Sequence, residues 1–127
     1  MNILTKVKNT FLYPDTYRPH PEAVIISCYF NPQGSAPRKQ AFDTFYESIK
    51  HLNHRIVECV IGNDKPQIYT EDNENITLIR TKNLLWHKEA LLNGIIKNLP
   101  DQFKYVFWVD ADVIFTNLNW VLEGVQE

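Results

Sequence analysis

Apolar residues in this chain fall into short β-branched runs separated by two stretches of helical spacing. The first run, Ala23-Val24-Ile25-Ile26-Ser27-Cys28-Tyr29-Phe30, is apolar at almost every position. That pattern predicts a strand covered on both faces, ended by the turn residues Asn31-Pro32-Gln33-Gly34. From Pro37 or Arg38 to Leu52, the apolar positions Phe42, Phe45, Ile49 and Leu52 recur every three or four residues. This predicts an amphipathic helix with Arg38, Lys39, Glu47 and Lys50 on its wet side, and with His51 and His54 solvated or capping its last turn. A second strand is expected over 55–61, where Glu58 interrupts the apolar run and suggests a partly open face; Gly62-Asn63-Asp64 stops it. The acidic stretch 71–74 reads as a solvated loop, followed by a short third strand over 76–80. A second helix is expected over about 84–99, with Leu84, Leu91, Leu92, Ile95 and Leu99 inward, and Pro100-Asp101 ends it. A last short helix over 120–125 would be capped by Asn117 or Asn119. The order strand, helix, strand, strand, helix, strand, helix, with helices in the long connections, predicts an α/β unit on a mainly parallel sheet. Residues 1–22, broken by Pro14, Pro19 and Pro21, form a lead-in, and residues 23–127 one domain.

The most apolar stretch, 105–115, carries two carboxylates near its middle, Asp110 and Asp112. Charge is costly inside a covered strand unless paired or holding a metal. The strand is therefore expected to end at Asp110, so that both aspartates emerge at the carboxyl edge of the sheet, where open α/β sheets bind ligands. Trp108 and Trp120 read as core. Two residues apart in extended chain, the two carboxylates point the same way. They repel unless a cation lies between them and an anionic ligand, and Mg2+ or Mn2+ suits such a pair, with phosphate oxygens completing the shell. Two aspartates in a surface turn would look the same in isolation. The same edge would collect the ends of the other strands, 29–32 and 62–64.

Composition narrows the classes. The 127 residues are 44% hydrophobic and 22% charged, enough for one core. A net charge of -2 gives no footprint for nucleic acid. No apolar run approaches the roughly 18 residues of a transmembrane segment. The first residues lack the apolar core of a signal peptide. Cys28 and Cys59 lie in strand-like runs; buried free thiols are expected rather than a disulfide between neighbouring strands, and a cytoplasmic location follows from that.

With these residues in view, Phe107-Trp108-Val109-Asp110-Ala111-Asp112-Val113-Ile114-Phe115 resembles the DxD region of glycosyltransferases of the GT-A fold, family-2-like members in particular. The first strand ending in Tyr29-Phe30-Asn31-Pro32, Asp64 after the second strand, and the segment Leu85–Gly94 before the DxD strand agree in order and spacing. The resemblance implies a Rossmann-like, nucleotide-sugar-binding half of that fold, a nucleotide-diphosphate sugar donor (a UDP-sugar favoured) and a glycan or other hydroxyl acceptor. It implies that Asp112 binds the metal directly, and that Asp110 meets the sugar or ribose, or the metal through water. Asp64 would hold the base or ribose, Tyr29 would stack on the base beside Asn31, and Lys88 would sit near the diphosphate. Local chemistry leaves Asp64 equally a turn residue, Tyr29 a packing residue and Lys88 a solvated one; Trp86 and His87 read as packing and capping residues. The resembled domain is about twice as long, so the chain is expected to be a fragment or a truncated relative, with its catalytic base beyond residue 127. Two alternatives remain from sequence. One is a non-catalytic nucleotide-binding or interaction module, prone to self-association through an uncovered sheet edge. The other is a haloacid-dehalogenase-type phosphatase with Asp110 as nucleophile, which the late position of the motif and Ile114 disfavour.

Overall fold

The computed structural model describes residues 20–82, 88–113 and 120–126. Its elements are β1 (Ala23–Phe30), α1 (Ala36–Ile49), β2 (His54–Ile61), β3 (Ile76–Thr81), α2 (Lys88–Lys97), β4 (Tyr105–Trp108) and α3 (Trp120–Gln126). The architecture is α/β: a four-stranded sheet in the order β3-β2-β1-β4, parallel at every pairing and flanked by the three helices, a Rossmann-like half-fold.

β1 is central because its sequence suits both faces. Alternate residues Ile25 and Tyr29 join Phe42, Phe45 and Ile49 of α1, Ile56, Ile76 and Val121 of α3 in one cluster. The interleaved Val24, Ile26 and Cys28 join Val57 and Leu92 of α2 in the other. Each fully buried Ile, Val or Phe in these layers contributes about 1.5–3 kcal/mol. Ser35 starts α1: its Oγ accepts the Arg38 N–H at 3.3 Å, and Pro37 follows in the first turn, where a missing N–H costs nothing. Gly62 ends β2 with φ of +55°, and its N–H bonds Thr81 O at 2.7 Å, tying the end of β2 to the end of β3.

Several expectations need correction. Helix α1 stops at Ile49, not Leu52; Leu52 still buries its side chain, but in the turn that sends the chain into β2. His54 is neither solvated nor a cap. It is the buried first residue of β2, bonded through Nδ1 to Leu52 O at 2.8 Å and through Nε2 to Tyr46 Oη at 3.3 Å, and burial pushes its pKa down. Glu58 does not mark an open face: it is 1% exposed, and its carboxylate accepts the backbone N–H groups of Gln67, Ile68 and Tyr69 at 2.7, 3.0 and 2.8 Å. The strand before the aspartates ends at Trp108, although Val109 N–H still reaches Ile26 O. Trp108 is not core but 48% exposed. The reason is positional: β4 is an edge strand, and α2 packs over β1 and β2, leaving Val106 and Trp108 uncovered. Trp120 is partly buried and meets Phe107 edge-on at 5.4 Å. The lead-in before His20, Trp86, His87, the start of the second helix and the Asn117 or Asn119 cap lie outside the described residues.

Candidate functional site

Parallel strands put all their carboxyl ends on one edge, and the strand order decides where that edge can open. From β1 the chain goes to β2 on one side and returns to β4 on the other. The strand order thus reverses at β1, and such a switch point is the usual ligand position in open α/β sheets. A cavity of about 370 Å³ lies there, with Cys28 and Phe30 from the end of β1, Asp110 and Asp112 from beyond β4, Lys88 from α2 and Arg38 from α1 in its walls.

Charge organises this cavity. Lys88 Nζ donates to Asp110 Oδ1 in an ion pair whose side chains are 34% and 58% exposed. At that exposure a pair contributes at most about 1 kcal/mol. The hydrogen bond to Asp110, with the charges of Asp110 and Asp112, raises the Lys88 pKa above its ordinary value, so it stays an ammonium. Arg38 Nη1 donates to Phe30 O at 3.0 Å, which fixes the guanidinium beside the end of β1. Burial pushes the Cys28 thiol up to about 11, so it lines the cavity as a neutral group. Cys28 and Cys59 are both free and buried, as expected.

Of the residues singled out from sequence, Lys88, Asp110 and Asp112 come together at this crevice. Tyr29 reaches the cavity wall, but its ring is 3% exposed and packs on Phe42 with centroids 5.0 Å apart, so the side chain serves the core. Its hydroxyl donates to Gln67 Oε1 at 2.6 Å. Asn31 is also buried: Nδ2 donates to Ser35 O, Gln67 Oε1 and Tyr29 Oη, and Oδ1 accepts from Ser35 N–H. Asp64 is exposed at the turn after β2, where it borders a separate cavity of about 300 Å³ with Asn31, Glu58 and Gln67. From sequence, Arg38 is only a position on the wet side of the helix. The available signal was topological, since a helix that follows a parallel strand starts at the carboxyl edge of the sheet.

Among the described residues no three His, Cys, Asp or Glu side chains converge as a metal site. Among the described residues lining the cavity, the carboxylates are those of Asp110 and Asp112, and one or two carboxylates are a usual protein contribution to Mg2+ when phosphate and water supply the other oxygens. Among the described residues no helix is long and apolar enough to cross a membrane. Comparisons of the chain with protein-family models, with curated proteins and with solved structures found no match.

Proposed function

We propose that the crevice between β1 and β4 binds a nucleotide-diphosphate sugar together with Mn2+ or Mg2+, and that the chain is the donor-binding part of a glycosyltransferase. The observation that carries this reading is the convergence of Lys88, Asp110 and Asp112 on one cavity at the point where the strand order reverses. Asp112 is the direct metal carboxylate; Asp110 meets the ribose, the sugar or a metal-bound water. Lys88 and Arg38 face the diphosphate, whose charge grows as the glycosyl bond breaks, and fixed cations in a confined site stabilise that charge. A bound divalent ion would neutralise the leaving diphosphate further. No described residue is assigned as the base for an acceptor hydroxyl. Asp64 is available to the base or ribose from the neighbouring turn; the buried Tyr29 shapes the wall of the crevice rather than touching the ligand, and Asn31 borders the separate cavity beside Asp64.

Calorimetric titration of UDP and GDP, with Mn2+ and with EDTA, tests the reading. Mn2+-dependent binding that is lost in Asp112→Ala is the expected result, and the preferred base names the donor class. Binding of equal strength in EDTA would remove the metal from the proposal. No binding of either nucleotide to the folded chain would sink the donor site.

A further inference from the structure

The ion pair of Lys88 with Asp110 stands where the proposed ligand would bring charge of both signs. A metal–diphosphate offers a cation to the carboxylates and an anion to the ammonium. The existing pair joins the two charges to each other, and it is exposed enough that exchanging it costs little. Arg38 lines the same cavity, held by the Phe30 carbonyl and with no carboxylate partner among the described residues. The walls thus hold two cations and two carboxylates, with one of each already joined.

We propose that Lys88 is an exchangeable counter-ion: it caps Asp110 against divalent cations, and it transfers to the phosphate oxygens when a metal–diphosphate binds. The consequence is a coupling of definite sign. A cation alone must compete with the ammonium for Asp110. A diphosphate alone must draw Lys88 away and leave the Asp110 carboxylate facing its own negative charge. When both bind, each takes the partner the other has released, so each strengthens the other, and by linkage equally. The inference rests on the donor-site reading for the metal and the diphosphate, and is independent of the nucleoside attached to them.

The test uses the full chain, wild type and Lys88→Met, which keeps the length of the side chain and removes its charge. Free Mn2+ is followed by its paramagnetic resonance signal, and pyrophosphate and UDP are titrated by calorimetry with and without Mn2+. Urea midpoints confirm that both chains are folded. Lys88→Met is expected to bind Mn2+ alone about threefold or more tightly than wild type, the scale of an exposed ion pair. The same variant is expected to bind pyrophosphate more weakly and to show a smaller Mn2+ enhancement than wild type, where it is expected to be about fivefold or more, because direct metal–phosphate contact remains and the exchange of Lys88 is gone. Mn2+ binding that is unchanged or weaker in Lys88→Met overturns the proposal, as does an unchanged enhancement. Wild-type binding of Mn2+ and pyrophosphate with the expected coupling, but none of UDP, leaves the exchange standing and removes the nucleotide from the donor-site reading.

Discussion

At the end of β1 the chain passes between two polar neighbourhoods. On the β2 side, Tyr29, Asn31, Glu58 and Gln67 bond to one another and to backbone, with Tyr29, Asn31 and Glu58 buried. On the β4 side, Arg38, Lys88, Asp110 and Asp112 face an open cavity, and their one mutual side-chain bond is the exposed Lys88–Asp110 pair. Both neighbourhoods lie at the carboxyl edge of the same sheet, both are rich in polar groups, and both border a cavity. They differ in how many partners the protein itself provides. Glu58 has three N–H donors waiting for its two oxygens, so its charge is a structural part of the loop it holds. Asp112 accepts no hydrogen bond from a described residue and keeps its capacity for a ligand. Position at a strand end is therefore not enough to make a residue a ligand-binding one; the free hydrogen-bonding capacity must also be left over.

Two substitutions put this contrast at risk. Glu58→Ala carries the larger expected effect. It removes a charged acceptor from three backbone donors at once and leaves them without partners in a partly buried place, a loss of about 3 kcal/mol or more in urea unfolding. A variant as stable as wild type would mean that water replaces the carboxylate there and that the two neighbourhoods differ less than their geometry suggests. Asp112→Ala carries the smaller one. Its stability is expected to stay within about 0.5 kcal/mol of wild type, since Asp112 is exposed and has no hydrogen-bond partner among the described residues. Marked destabilisation of this variant would assign Asp112 to the scaffold and sharpen the comparison against the donor site.

Much of the scaffold was legible because it depends on periodicity. β1 appears with the bounds its apolar run predicts, and the Phe42, Phe45, Ile49 stripe is buried as its spacing requires. The parallel pairing follows from helices in the long connections, and the meeting of Lys88 with the two aspartates follows from that pairing. What the pattern could not convey was the number of partners around each residue. Glu58 in an apolar run looked like a sign of water, because one sequence does not show that residues 67–69 fold back to offer their N–H groups. His54 read as the tail of a helix, because the turn at 50–53 is set by the need to bring β2 beside β1. Trp108 read as core, because a strongly apolar run does not reveal that its strand lies at the sheet's edge. Whether Tyr29 faces a ligand or the core was likewise a matter of Phe42 and Gln67, residues distant in sequence.

The position of β4 has a consequence for the order in which the molecule comes together and comes apart. Its register partners on β1, Ala23 to Ile26, are farther away in sequence than any other pair of strands joined in this sheet, and its own length is only four residues. Closing that long loop carries the largest entropic cost in the sheet, for the fewest ladder bonds. Local opening therefore begins at β4, and the amides joining β4 to β1 exchange with solvent before those joining β2 to β1; equal protection of the two ladders would contradict it. The crevice has one wall on the most secure strand of the protein and the other on the least secure. A molecule lodged between them acts as a clasp, slowing the escape of β4 while it remains bound.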